Sequence, residues 1–102
     1  MFESYKVIKM PINGRGVYSL WVADTDTKRS QGLKGVKKLP RKTGMIFVYR
    51  EYVDHPFTMV GVYIPLTIMF LDADMSIVDI GKYLPGQKNI VSKRKYMYVV
   101  EI

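Results

Sequence analysis

Few side chains in this sequence have the chemistry of a catalytic or metal site. There is one histidine, His55, and there is no cysteine. A cluster of histidine ligands, a thiolate nucleophile and a thiolate metal site are therefore excluded. His55 precedes Pro56, which favours extended backbone next to a turn. A general base or a pH-sensitive contact is one interpretation of His55, but we expect a histidine in a surface loop.

Three aspartates that follow one another closely, Asp72, Asp74 and Asp79, have the oxygen ligands that a hard cation prefers. The segment lacks the glycine and the downstream glutamate of a calcium-binding loop. Aspartate is also common in hairpin turns, because its side chain bonds to nearby backbone. We therefore predict a turn at 72–75, and neither a metal nor another cofactor.

The serines give no sign of nucleophilic catalysis. None of them lies between the glycines of a nucleophile elbow, and any triad would have to use the one histidine. No nucleophile, base and orienting partner occur together. We predict no catalytic residue, and we expect that the protein is not an enzyme.

The strongest charge feature is a group of lysines and arginines that we call the basic patch. The net charge of the chain is +7, and seven bases with no acid among them lie between Lys28 and Lys42. The predicted binding residues are Lys28, Arg29, Lys34, Lys37, Lys38, Arg41 and Lys42, with Lys93, Arg94 and Lys95 as a second contact.

The basic patch has more than one interpretation. Its field attracts nucleic acid, acidic protein surfaces or anionic lipid. Clustered lysines hold phosphate and read little base sequence, so binding to nucleic acid would be nonspecific and steeply dependent on salt. A solvated loop that keeps the protein soluble explains the same residues. These alternatives stay open at the level of the sequence.

Length and composition predict one folded domain over residues 1–102. The hydrophobic fraction of 48% and the charged fraction of 25% are ordinary for a globular protein. No apolar stretch approaches the roughly 18 to 20 residues that cross a bilayer, and the first residues do not resemble a secretion signal. We expect no membrane insertion, and a location in the cytoplasm or within an assembled particle.

Most of the chain has the pattern of short strands and turns. Residues 5–10 favour a strand that stops at Pro11, and Asn13-Gly14 is a hairpin signal before a second strand at 16–23. Asp24 or Thr25 can cap one short helix, at 25–31. Further strands are predicted at 45–49, 57–62, 66–71, 76–82 and 96–102. The predicted fold is mainly β (α+β), a curled sheet or partial barrel.

Four landmarks in the chain do not follow from periodicity. They are Ala-Asp-Thr at 23–25, Gly-Leu at 32–33, Gly-Met-Ile-Phe-Val at 44–48 and Ile-Pro-Leu-x-Ile-x-Phe-Leu-Asp at 64–72. The pattern resembles the domain-of-unknown-function 192 family, which reads in outline A-x-T-x-x-x-R-x-x-G-L-x-x-R, G-M-L-F-x-F, F-W-M-x-N-T and I-P-L-D-I-x-F-x-D. The resemblance covers 21–102 and implies a small β-rich domain with no agreed activity.

The chain departs from this outline at polar positions. Thr58 replaces the usual tryptophan, Gly61 and Val62 stand where asparagine and threonine are usual, and Thr67 replaces an aspartate. If those polar groups form a ligand site in the family, most of it is missing here while the hydrophobic framework is kept, which indicates a scaffold or interaction role. Alternatively, they are structural in relatives and replaced here by other packing.

The chain ends at Ile102, where relatives continue into another short strand. We therefore expect the last strand to lack a neighbour and to pair with another chain. Eight tyrosines and seven methionines provide adaptable contact residues. We predict a non-enzymatic structural or interaction domain with a protein partner or a homo-oligomer, as part of a larger assembly such as a phage particle or its decoration. The alternative is nucleic-acid binding through the basic patch.

Overall fold

The computed structural model describes all 102 residues and consists of one six-stranded sheet with a short helix. The order of strands in the sheet is β1-β2-β3-β6-β4-β5. β2 and β3 are parallel, and the other neighbours are antiparallel. The elements are β1 (Val7–Ile12), β2 (Gly16–Ala23), α1 (Asp26–Gln31), β3 (Thr43–Val53), β4 (Leu66–Leu71), β5 (Ile77–Tyr83) and β6 (Tyr96–Glu101). The predicted mainly β architecture is confirmed.

The helix α1 forms where its capping residues predict it. The Thr25 hydroxyl accepts the backbone N–H of Lys28 at 3.2 Å, and Asp26 lies at the positive end of the helix. Gly32 ends α1 with a φ of 50°, which a residue with a side chain rarely adopts. α1 lies in the connection between the parallel strands β2 and β3. No helix of the structure is long and apolar enough to cross a lipid bilayer.

The sheet buries side chains on both faces. Residues 46, 69 and 100 pack with Ile12 and Leu20 on one face. Their neighbours in sequence belong to a larger cluster on the other face, which includes Phe47, Ile68 and Val99. Because the smaller cluster joins residues from β1 to β4 across the sheet, the sheet curls around it. The larger cluster forms the core face, which the segment after α1, through Leu33 and Val36, and two loops, through Met59, Val62 and Ile90, cover.

The last strand lies inside the sheet, so the prediction that it lacks a neighbour is wrong. β6 pairs with β3 on one side and with β4 on the other. Beyond its end, Ile102 and Thr67 exchange two backbone hydrogen bonds of 2.7 and 3.0 Å. The chain returns from β5 to a position between β3 and β4, which the linear order of strands does not reveal. The edges of the sheet are β1 and β5. β1 continues through Pro11 to Ile12, since an edge strand tolerates proline.

The predicted strand at 57–62 is also wrong, because this segment is a loop. Only Phe57 pairs with another strand-like residue, Ile90, in an isolated bridge. Gly61 has a φ of 82°, and Val62 donates a backbone hydrogen bond back to Met59. The side chains of Met59 and Val62 are nevertheless buried on the core face. The apolar pattern therefore reflects burial of a loop over the core and not a place in the sheet.

Candidate ligand-binding pocket

A buried carboxyl group lies at the end of the last strand. Side chains alternate along β6, which puts Glu101 on the same face as Val99, toward the core. In the sheet Glu101 pairs with Met45 on β3 and with Ile68 on β4, and both of these side chains are fully buried. The register thus holds a carboxyl between two apolar neighbours, with only 4% of the residue exposed.

The Glu101 carboxyl has no partner in the protein. It accepts no hydrogen bond and takes part in neither ion pair of the structure. Burial alone raises the pKa of Glu101 to about 8. Because no enclosed polar side-chain atom in the protein lacks a hydrogen bond, the unpaired oxygens of Glu101 must reach the adjoining cavity.

That cavity, which we call the Glu101 pocket, has a volume of about 230 Å³. It lies between the C-terminal end of α1, β3 and the loop that follows His55. Apolar side chains form much of its wall, and a small number of polar groups face the same space. Its lining residues include Arg29, Leu33, Lys34, Phe47, Tyr49, His55, Phe57, Thr58, Val62 and Glu101.

A wider groove of about 800 Å³ adjoins the Glu101 pocket. We call it the outer groove. The two cavities share the four residues Arg29, Ser30, Tyr49 and His55, so they are contiguous. The outer groove therefore meets the Glu101 pocket at these four residues.

Arg29 is fixed at the junction of the two cavities. Its Nη1 donates to the carbonyl oxygen of Val48 at 2.9 Å, and its Nη2 donates to Oδ1 of Asp26 at 2.7 Å. The guanidinium group lies 5.1 Å from the centre of the Tyr49 ring. These contacts hold one positive charge at the junction and join α1 to β3.

Tyr49 lines the Glu101 pocket and is hydrogen-bonded to Tyr96, and both tyrosines stay protonated at neutral pH. Burial raises the pKa of Tyr49 to about 12; the charge of Glu101 adds to this effect, while Arg29 and a hydrogen bond with Tyr96 oppose it. Burial also raises the pKa of Tyr96, whose hydroxyl donates to the carbonyl oxygen of His55. The His55 ring lies 5.9 Å from the Tyr49 ring. The predicted loop position of His55 is thus at the wall of the pocket.

The structure brings two members of the basic patch, Arg29 and Lys34, to the Glu101 pocket. The others have different neighbours. Lys28 lies 4.9 Å from the Tyr5 ring centre and Lys37 lies 5.7 Å from the ring centre of Tyr63. Lys42 lies over Tyr18 and donates to the carbonyl of Arg15, while Lys38 and Arg41 are exposed.

The second part of the basic patch lies away from Lys42. Lys42 immediately precedes β3, whereas Lys95 immediately precedes Tyr96, which pairs with Val53 at the far end of β3. The eleven residues of β3 therefore separate Lys42 from Lys95.

The aspartates after β4 serve the turn that the sequence predicts. Oδ1 of Asp74 accepts hydrogen bonds from the backbone N–H and the hydroxyl of Ser76, at 3.0 and 2.6 Å. The hydroxyl of Tyr52 donates to Asp72. Asp79 is separate from this turn and accepts the backbone N–H of Lys93 at 2.9 Å. The three carboxylates do not converge on one point.

Two departures from the family outline lie in the pocket wall. Thr58 and Val62 both line the Glu101 pocket. Gly61, between them, packs against the side chain of Lys34. Thr67 does not line the pocket. It is buried on β4, and its backbone is hydrogen-bonded to that of Ile102. The changes at 58 and 62 therefore alter the lining of a cavity as well as the packing of a loop.

The six-stranded sheet, its one short helix and the Glu101 pocket define a small β-rich domain. The chain belongs to the domain-of-unknown-function 192 family, described as an uncharacterised ACR, whose model matches residues 8–102. No curated protein matches the chain.

Two solved structures have a similar fold. A candidate transcription regulator from Sinorhizobium meliloti 1021 has a TM-score of 0.83 and 25% identity, over 96% of this chain and 81% of that one. A protein of unknown function from Novosphingobium aromaticivorans DSM 12444 has a TM-score of 0.78 and 22% identity, over 99% of this chain and 83% of that one. The second likeness concerns the fold alone.

The sequence analysis missed Glu101 and Tyr49 as site residues. A signal for Glu101 existed, because alternation in the last strand puts it on the same face as Val99. A single acid at the end of a strand is usually solvated, however, and only the pairing with β3 and β4 buries this one. Tyr49 faces a pocket because the loop that follows β3 forms the opposite wall, and the sequence does not show the course of that loop.

Proposed function

We propose that this protein is a non-enzymatic binding domain that holds a small ligand in the Glu101 pocket. One observation carries the proposal: a buried carboxyl group without a protein partner faces a cavity. Buried polar groups are normally bonded, and an unbonded one carries a penalty of about 1–3 kcal/mol. A ligand that bonds to Glu101 would remove that penalty in the complex.

The groups around the cavity support binding more than catalysis. Both tyrosines keep their protons at neutral pH, so neither is a base that could activate a nucleophile. Arg29 is held by two hydrogen bonds and a ring contact, which is the arrangement of a fixed recognition group. A lone acid with a raised pKa also occurs in enzymes as a general acid, so any ligand found must be checked for chemical change.

The test is a screen of small polar molecules against the folded protein, read by amide NMR. We expect a ligand that shifts the resonances of Arg29, Tyr49, Thr58 and Glu101 and is recovered unchanged. Glu101→Gln should weaken its binding by about tenfold or more, whereas Glu3→Gln, a change at an exposed acid, should not. The proposal fails if no molecule perturbs the pocket, or if binders perturb only other surfaces.

We propose a protein partner as a second function, because the edge strand β5 exposes apolar side chains. Ile77 and Ile80 on β5 are 53% and 47% exposed, and Leu84 and Val91 in the next loop are also exposed. An edge with apolar side chains favours pairing with another chain. Ile80→Lys should abolish any concentration-dependent association in analytical ultracentrifugation, and a wild-type protein that sediments as a monomer at every concentration would contradict a homo-oligomer. No structural feature favours the phage-particle setting.

A further inference from the structure

An acidic side chain and two basic side chains line different parts of the Glu101 pocket. Glu101 lies at the buried end, between Met45 and Ile68. Arg29 lies at the junction with the outer groove, and Lys34 is an exposed residue of the pocket wall. The only acid bonded to either cation is Asp26, which is itself fully exposed. The pocket thus has an acidic floor and a basic mouth.

We propose, on the basis of the binding function above, that the ligand is a small zwitterion. Its cationic nitrogen would bind the Glu101 carboxylate, and its anionic group would lie at Arg29 and Lys34. A zwitterion offers each end a group of opposite charge. An amine without an anion would meet the two cations at the mouth, and a simple carboxylate would offer no cation to the ionised form of Glu101.

The size and lining of the pocket restrict this zwitterion further. A volume of about 230 Å³ is below the roughly 300–1,000 Å³ typical of pockets for drug-sized ligands. Leu33, Phe47 and Val62 form apolar wall between the charged ends. A ligand with an ammonium group, a hydrocarbon spacer and a carboxylate would match the acid, the apolar wall and the bases in turn. The class is therefore an aminocarboxylate of amino-acid size.

Binding of such a ligand has a signature in protons. In the free protein burial keeps Glu101 protonated at neutral pH, since its pKa is about 8. An ammonium group beside it favours the ionised form. The complex would therefore hold Glu101 as a carboxylate, and each binding event at pH 7 would release close to one proton from Glu101.

The experiment is isothermal titration calorimetry with four probes: 5-aminopentanoate, pentylamine, pentanoate and pentanamide. We expect 5-aminopentanoate to bind about tenfold or more tightly than the other three. Titration in two buffers of different ionisation enthalpy should show the release of close to one proton. Glu101→Gln should remove both the preference and the release, while Glu3→Gln should change neither.

The outcomes separate this inference from the function on which it rests. Equal binding of pentanamide, or binding of 5-aminopentanoate without proton release, would overturn the zwitterion and leave a binding pocket. Failure of all four probes would overturn the aminocarboxylate class, and the NMR screen would then decide independently whether the pocket binds anything. If neither calorimetry nor the NMR screen detects binding in the pocket, both proposals are overturned.

Discussion

The backbone of Gly44 packs directly against the carbonyl of Glu101. A β-carbon on Gly44 would lie 2.2 Å from that oxygen and 2.6 Å from Cγ2 of Ile102. The contact occurs next to the point where Met45 on β3 pairs with Glu101 on β6. The glycine thus allows the approach of two strands that fixes the acid at the floor of the pocket.

Gly44→Ala should destabilise the protein strongly. The added methyl group would clash with backbone atoms, which cannot move away as a flexible side chain can. We therefore expect the free energy of unfolding to fall by about 1–3 kcal/mol. Urea denaturation measures it. NMR should also show displaced resonances for Glu101, because its strand must move.

Gly81→Ala is the matched control. Gly81 also lies in a strand, and its added methyl group would approach the end of the Tyr83 side chain, at 2.6 Å from the hydroxyl. That side chain can rotate away, so the loss should be smaller than at Gly44. Equal losses would mean that the contact between Gly44 and Glu101 has no special role.

The stability of the protein should fall as pH rises from about 4.5 to about 8. The unfolded chain releases the Glu101 proton near pH 4.5, whereas the native protein holds it to about pH 8. The native state therefore binds more protons in this window, and stability decreases by up to about 1.4 kcal/mol per pH unit.

Glu101→Gln isolates this effect, because an amide does not titrate. Urea denaturation of both proteins at several pH values should show the variant gaining on the wild type as pH rises through the window. Curves that stay parallel would show that Glu101 titrates alike in the folded and unfolded protein.

Tyr96→Phe should cost about 1–3 kcal/mol in the free energy of unfolding. Tyr96 is fully buried and donates a hydrogen bond to the carbonyl of His55, which the variant leaves without that donor. Tyr98→Phe is the control on the same strand, since Tyr98 is half-buried on the other face. Denaturation midpoints that shift alike in both variants would contradict a structural role of this bond.

Arg29→Lys should loosen the junction between α1 and β3. An ammonium group cannot reproduce the two planar contacts with Val48 and Asp26, so we expect a loss of about 1–2 kcal/mol. The exposed Arg50, which lines the outer groove, provides the control variant Arg50→Lys. Faster amide exchange in α1 should accompany only the first change, and unchanged exchange would count against the proposed junction.

Nucleic-acid binding, where present, should follow total charge and not one surface. The bases at 28–42 have separate neighbours, and the length of β3 separates Lys42 from Lys95. Replacing Lys37, Lys38 and Arg41 by glutamine should therefore weaken binding to labelled DNA as much as replacing Lys93, Arg94 and Lys95. Fluorescence anisotropy over a salt series measures both. A loss confined to the first variant would indicate a true interface in the basic patch.

Local signals in the sequence were enough to predict most elements. Asn13-Gly14 marks the first hairpin, and Thr25 caps the one helix. The failure at 57–62 has a physical reason: burial of Met59 and Val62 beneath a loop produces the apolar pattern of a buried strand. A buried loop and a buried strand differ in their backbone pairing and not in their burial.

The site was less predictable because it depends on long-range pairing. Glu101 becomes a floor residue only when β6 enters between β3 and β4. The bases were evident as charge, yet only Arg29 and Lys34 among the predicted residues reach the pocket. The number of basic residues can be counted in the sequence, but which of them line a cavity depends on the fold.

The most direct test of the account is the titration of the Glu101 side-chain carboxyl by carbon-13 NMR, in the free protein and in the presence of saturating 5-aminopentanoate. We expect a midpoint near pH 8 for the free protein, far above that of the exposed Glu3, and a marked fall of the Glu101 midpoint when the probe binds. A midpoint near 4.5 in the free protein would contradict a buried, unpaired carboxyl and the recognition role that we assign to it.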